Sequence, residues 1–121
     1  MPSVITVLIV EDEALIRMDI SGQLQNFGFK VFEAANASEA IEMLIANAEI
    51  QVMFTDIDMP GGVDGLVLSA AVRDRWPPIK IIVTSGHRRV EMSDIPAESR
   101  FFRKPYRAET VAVAMREMMA V

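Results

Sequence analysis

Short apolar runs alternate with longer amphipathic segments along the 121-residue chain. Five of these runs are too short for core helices and suit strands, of which the most apolar would be buried on both faces; they cover 3–10, 30–34, 51–55, 79–84 and 100–103. Apolar residues at helical spacing predict helices over 13–27, from 38 to about 45, over 65–75 and from 106 onward. This alternation predicts an α/β fold, in which βαβ units build a parallel sheet with helices on both faces.

Local signals place several of the boundaries. Gly28 is well placed to end the first helix, Ser38 is a candidate N-cap of the second, and Pro77 with Pro78 ends the third. The segment 87–99 is the weak stretch, because Pro96 interrupts it and its apolar residues form a poor helical face. We therefore expect at most a turn or two of helix there.

Composition narrows the class of protein. Apolar residues make up 51% of the chain, which suits one packed domain over residues 1–121. The net charge of -5 makes nucleic acid and anionic membranes poor partners. The chain has no cysteine, no apolar stretch of the roughly eighteen residues that span a bilayer, and no basic signal-peptide start. We expect a cytoplasmic domain.

Chemically reactive side chains follow the apolar runs. The first run ends in an acid pair, the third in a lone acid, the fourth in a hydroxyl and the fifth in an ammonium; these are Glu11-Asp12, Asp56, Thr84 and Lys104. Because parallel sheets place their binding sites at the carboxyl ends of the strands, these groups are expected to converge. A lone acid at a strand end is more simply a solvated residue, but the combination favours a site.

The expected cluster needs a cation. Two carboxylates about 4 Å apart repel by roughly 4 kcal/mol at an effective dielectric of about 20. Hard oxygen ligands suit Mg²⁺, and the chain has one histidine and no cysteine with which to build a zinc site. A carboxylate beside Mg²⁺, a lysine and a hydroxyl can accept a phosphoryl group as an acyl phosphate.

These residues resemble the receiver domain of bacterial two-component response regulators, over essentially the whole chain. Each matching piece is weak alone, whereas their shared order and spacing are specific; the pieces are Glu11-Asp12, Asp56, Met59-Pro60, Asp64-Gly65, Thr84-Ser85 and Lys104-Pro105. The resemblance implies a flavodoxin-like, doubly wound five-stranded parallel sheet with strand order 2-1-3-4-5. Here its fourth helix would be short or degenerate.

The resemblance also implies roles for individual residues. Asp56 resembles the phosphoacceptor, Asp12 a direct Mg²⁺ ligand, and Glu11 an acid that acts on the ion through water. The backbone carbonyl of Asp58 would complete the protein ligands, while its side chain is expected to point to solvent. The loop 60–65 is one residue longer than usual, which could displace that carbonyl.

The remaining roles concern the switch. Thr84 resembles the hydroxyl that moves toward the phosphoryl group, and Lys104 the lysine that pairs with it. Phe101 stands where the family keeps an aromatic rotamer switch, although a plain core position is the simpler interpretation. The peptide before Pro105 is a candidate for the cis form. The poor helix at 87–99 leaves open how the output face is built.

Four functions remain to be compared. The first is a stand-alone, non-enzymatic receiver that takes phosphate from a histidine kinase or phosphotransfer protein and signals by protein contacts, as a monomer or phosphorylation-dependent dimer. The second is a receiver excised from a hybrid kinase or longer regulator, and the third a degenerate receiver, which the complete set of site residues opposes. The fourth is a Mg²⁺-dependent phosphohydrolase, since Asp56-Ile57-Asp58 matches a DxD motif. In haloacid-dehalogenase-like phosphatases, however, that motif follows the first strand.

Overall fold

The computed structural model describes residues 4–59, 64–86 and 89–120. In these ranges, strands and helices alternate as the apolar pattern predicts. The strands are β1 (Thr6–Val10), β2 (Lys30–Ala34), β3 (Val52–Asp56), β4 (Lys80–Ser85) and β5 (Arg100–Arg103). The helices are α1 (Ala14–Asn26), α2 (Ala37–Ala46), α3 (Gly65–Arg75) and α4 (Ala108–Met119), with one 3-10 turn at Met92–Asp94.

All five strands form one parallel sheet in the order β2-β1-β3-β4-β5. This is the predicted doubly wound order. The direction of chain progression reverses between β1 and β3, and open α/β sheets bind their ligands at the carboxyl end of such a reversal. The register sets Val10 opposite Thr55, and Asp56 opposite Thr84. The acids that follow β1 and end β3 therefore lie at the same edge.

The core has two layers, one on each face of the sheet. Leu8, Met53 and Ile81 face the layer that includes residues of α2 and α3. Val7, Val52 and Ile82 face the layer that includes residues of α1 and α4. Every residue of β1 and β3 is buried, because both faces of these central strands are covered. This explains why their sequences are apolar without alternation.

Several boundaries differ from the prediction by one or two residues. The predicted cap of α2 is wrong: Asn36 is the N-cap and its side chain accepts from the Glu39 amide, whereas Ser38 lies inside the helix. The Asn36 oxygen reaches the third helical amide, which is the usual capping geometry. β3 extends one residue further than predicted, so that Asp56 is its last residue. α4 begins at Ala108 rather than at residue 106.

The predicted short or degenerate fourth helix of the family corresponds to the segment before β5, not to α4, which follows β5. The described stretch 89–99 contains a single 3-10 turn, which confirms the expectation of little helix there. Ile95 is buried in the core layer of α2 and α3. Arg73 of α3 donates to the carbonyl of Ala97 at 3.2 Å and holds this stretch against the helix. The predicted extra residue in the loop at 60–63, and the start of the weak segment at 87–88, lie outside the described residues.

Candidate functional site

Three acids meet at the carboxyl ends of β1 and β3. One carboxylate oxygen from each of Glu11, Asp12 and Asp56 lies within 4.8 Å of the other two. Glu11 and Asp56 are 4% exposed, and Asp12 is half-buried. Distances of this size allow three carboxylates to share one cation. The structure thus brings the adjacent acids Glu11 and Asp12 together with Asp56, which lies 44 positions after Asp12.

Helix α3 starts directly against the backbone of Asp56. The amide of Gly65 donates to the carbonyl of Ile57 at 3.1 Å. A Cβ atom at Gly65 would lie 2.2 Å from the carbonyl oxygen of Asp56 and 2.8 Å from the Cα of Ile57. Such contacts are far inside van der Waals distance, so this position admits no side chain while β3 stays in place. Asp64 caps the helix by accepting from the amides of Leu66 and Val67.

Lys104 reaches the acids from the end of β5. Its Nζ lies 3.0 Å from Glu11 Oε1 and 3.0 Å from Asp56 Oδ2. Its backbone amide donates to the carbonyl of Ser85 at 3.0 Å, and its peptide bond to Pro105 is cis, as the sequence suggested. The hydrogen bond to Ser85 fixes the backbone of Lys104, and from there its ammonium contacts two carboxylates at once.

Burial and charge shift the protonation of this cluster. Burial raises the pKa of Glu11 to about 7, against the opposing effect of hydrogen bonds from the Glu13 amide and Lys104. Burial lowers the pKa of Lys104, but its contacts with Glu11 and Asp56 outweigh this and hold it above the usual range. Three carboxylates around one ammonium leave a surplus of negative charge, which a divalent cation complements.

Asp58 does not point to solvent as expected. Its carboxylate accepts hydrogen bonds from Ser85 Oγ at 2.7 Å and from the Gly86 amide at 3.2 Å. Its own amide donates to Asp56 Oδ1 at 3.0 Å. The pairing of β3 with β4 brings the Asp58 carboxylate within hydrogen-bonding distance of Ser85 and Gly86. The direction of the Asp58 side chain could not be predicted from the sequence. Ser85 was missed as a participant, although a second hydroxyl directly after Thr84 is a visible signal.

Thr84 lies beside Asp56 on β4, and Phe101 lies on the neighbouring strand β5. Thr84 is the register partner of Asp56 and is 1% exposed. β5 pairs Phe101 with Val83, and Phe102 with Thr84. Phe101 is half-buried against the core layer of α2 and α3, and the Arg103 guanidinium lies 6.0 Å from its ring centre. A switch role for Phe101 therefore stays a prediction.

Comparison with known proteins identifies the family. Residues 7–115 match the family model described as the response regulator receiver domain. The chain belongs to this family. It is a receiver domain of a two-component system. Its fold also matches a crystal structure of a response regulator receiver protein from Sinorhizobium medicae, with a TM-score of 0.89 and 28% identity over 98% of this chain and 97% of that one.

Receiver regions of longer proteins are also similar. The receiver domain is 35% identical over 118 residues to the sensor kinase CckA of Brucella abortus, which is 94% of this chain and 12% of that protein. It is 37% identical over 90 residues to a putative NtrX-like response regulator of Rickettsia bellii, which is 74% of this chain and 19% of that protein. The chain thus spans less than a fifth of each of these curated relatives.

A second structural neighbour is the receiver domain of the hybrid histidine kinase CckA, with a TM-score of 0.78 and 27% identity over 94% of this chain and 98% of that one. Among the described residues, no helix is both long and apolar enough to cross a lipid bilayer.

Proposed function

We propose that this receiver domain accepts a phosphoryl group on Asp56 from a histidine kinase or phosphotransfer protein, uses Mg²⁺, and signals through protein contacts. The supporting observation is the shared position of Lys104, whose ammonium lies 3.0 Å from both Asp56 and Glu11. A phosphoacceptor needs a nearby cation that can exchange its carboxylate for a phosphoryl oxygen. The proposal includes no turnover of an external substrate beyond this phosphotransfer and the later hydrolysis.

The transfer uses a carboxylate oxygen of Asp56 as nucleophile. That oxygen forms a bond to phosphorus while the bond between phosphorus and the donor's imidazole nitrogen breaks, and the imidazole leaves with the electron pair. The Asp58 amide holds Oδ1 of Asp56 and Lys104 holds Oδ2, so the carboxylate is fixed before a donor arrives. Positioning and charge neutralisation are the main requirements of phosphoryl transfer.

The donor set at the strand ends fits Mg²⁺. The carboxylates of Glu11, Asp12 and Asp56 would hold the ion, together with the backbone carbonyl of Asp58. All of these ligands are hard oxygens, and Asp12 and Asp58 are only half-buried, so water can reach this side of the site and fill the remaining positions. When bound, the ion neutralises charge on the acids and on the incoming phosphoryl group.

The switch in this proposal begins at Thr84. Thr84 of β4 is paired with Asp56 of β3, so a phosphoryl group on Asp56 would attract its hydroxyl. Movement of Thr84 would release space on the side of β4 and β5, which Phe101 would fill. A small local displacement of this kind can shift the population between two packed states.

An apolar part of α1 supports a protein as the phosphodonor. Leu15 is 82% exposed and Met18 is 61% exposed, one turn apart on the helix that follows the acid pair. Exposed apolar side chains next to a reactive site favour a protein partner. The proposal applies equally to a stand-alone receiver and to one that forms part of a longer protein.

Intact-mass spectrometry after incubation with acetyl phosphate or phosphoramidate and Mg²⁺ tests the proposal. The wild type should gain one phosphoryl group, and Asp56→Asn should gain none. Asp74→Asn makes the same chemical change at an exposed position on α3 and should be phosphorylated normally. An unchanged wild-type mass would instead support a degenerate receiver. Steady turnover of a small phosphate ester would support a phosphohydrolase.

A further inference from the structure

Arg17 makes a bridge between three parts of the fold. Its Nη1 donates to the backbone carbonyl of Glu11 at 2.8 Å, and its Nε donates to Glu33 Oε1 of β2 at 3.2 Å. Ser21, one turn further along α1, donates to the other oxygen of Glu33 at 3.2 Å. We call Arg17, Ser21 and Glu33 the arginine bridge. The Arg17 side chain is 19% exposed, so this is not a freely solvated ion pair.

The arginine bridge contacts the backbone directly after β1, at Glu11, where the two adjacent acids begin. The Glu11 amide donates to the carbonyl of Ala34 in β2 at 3.1 Å. The Glu11 carboxylate receives hydrogen bonds from the Glu13 amide and from Lys104. Arg17 holds the carbonyl of the peptide that joins Glu11 to Asp12. That peptide joins the two acidic residues, so its orientation constrains the backbone from which both side chains extend.

We propose that Arg17 is a positioning residue for the metal-binding acids. Its charged hydrogen bond fixes the Glu11-Asp12 peptide, and Glu33 orients the guanidinium from β2. Bonds from a guanidinium are stronger and more directional than those from neutral donors. The inference rests on the proposed function, because it assumes that these acids bind Mg²⁺. Residues that orient metal ligands typically change metal affinity by about 10- to 100-fold when they are removed.

Isothermal titration calorimetry with Mg²⁺ and the unphosphorylated protein provides the test. Arg17→Ala should weaken Mg²⁺ binding by about tenfold. Arg17→Lys should lose less affinity, because lysine keeps the positive charge and can still donate, although from one nitrogen instead of the planar guanidinium. Glu33→Gln should lose least, because its amide oxygen can still accept from Arg17. Amide chemical shifts of Glu11 and Asp12, recorded before Mg²⁺ is added, should move in the same order.

Two controls separate positioning from general stability. Arg100→Ala breaks the exposed ion pair between Arg100 and Glu117, which lie 2.7 Å apart, and should leave Mg²⁺ affinity unchanged. Val111→Ala removes buried side-chain volume on α4 and so lowers the stability of the fold, in a core layer that does not include the acids. At comparable unfolding free energy, it should bind Mg²⁺ more tightly than Arg17→Ala.

Wild-type Mg²⁺ affinity in both Arg17→Ala and Arg17→Lys would overturn the inference and leave the proposed function intact. Failure of the wild type to bind Mg²⁺ would overturn both. Should Arg17→Ala not fold, the comparison of Arg17→Lys with Arg100→Ala decides.

Discussion

The ammonium of Lys104 lies 3.0 Å from a carboxylate oxygen of Asp56, although 48 positions separate the two residues. The same nitrogen is equally close to a carboxylate oxygen of Glu11, which lies 93 positions from Lys104 in the sequence. One cation is therefore shared between two buried carboxylates. In the proposed reaction, Lys104 would move its contact from the carboxylate of Asp56 to an oxygen of the new phosphoryl group.

The variant Lys104→Ala should still bind Mg²⁺, since the three acids remain and the local charge becomes more negative. It should accept a phosphoryl group slowly or fail to switch, because no ammonium pairs with the phosphoryl oxygen. The rate of phosphorylation by phosphoramidate, followed by intact mass, measures the effect. Arg107→Ala is the control, because this exposed arginine beside the site contacts Glu109 rather than the site acids. Normal phosphorylation kinetics and normal switching in Lys104→Ala would show that Lys104 is not needed for either step.

A methyl group at Gly65 should be costly, in contrast to one at Gly22. Gly65→Ala places a Cβ 2.2 Å from the Asp56 carbonyl, so the backbone must move, at a cost of about 3 kcal/mol. A Cβ at Gly22, inside α1, meets no atom within 4 Å, and Gly22→Ala should stabilise the protein by about 0.5–1 kcal/mol. Urea unfolding measures both. Equal stability of the two variants would contradict the close approach of α3 to Asp56.

The hydrogen bond from Ser85 to Asp58 should contribute measurably to stability. Ser85→Ala removes a 2.7 Å bond to a carboxylate and should cost about 2 kcal/mol. Ser69→Ala is the matched control, because buried Ser69 donates to the uncharged carbonyl of Gly65. This control should cost about 1 kcal/mol or less. Denaturant unfolding compares the two, and a smaller loss in Ser85→Ala than in Ser69→Ala would be inconsistent with the observed contact.

Tyr106 should ionise at unusually high pH. Burial raises its pKa to about 12, against the opposing charge of Lys104, and its ring packs edge-on against Phe54. The unfolded chain should titrate at about 10. Since the folded pKa is the higher one, the associated stability is complete below about pH 10 and is lost as the pH rises toward 12. Tyr106 is the sole tyrosine, so tyrosinate absorbance reports it directly. A folded-state midpoint near 10 would contradict its burial.

Periodicity was sufficient to predict the element order, because β1, β3 and β4 are buried on both faces and admit almost no polar residue before their ends. The acids, hydroxyl and lysine could be assigned to one edge because parallel strands share a direction. Asn36 as the cap of α2 was not foreseen. Both Asn36 and Ser38 are good capping residues, and only the path of the backbone selects between them.

The amino-acid order by itself determined which groups stand at the strand ends: Glu11, Asp12, Asp56, Thr84 and Lys104. Tertiary structure decided which of their neighbours act with them. It turned the Asp58 carboxylate toward Ser85 and set Arg17 against the Glu11 carbonyl. The physical reason is the distance along the chain over which each feature is encoded. The burial of a strand is visible in the pattern of apolar residues within that strand. A side-chain hydrogen bond instead depends on how segments that are distant in the chain are placed against each other.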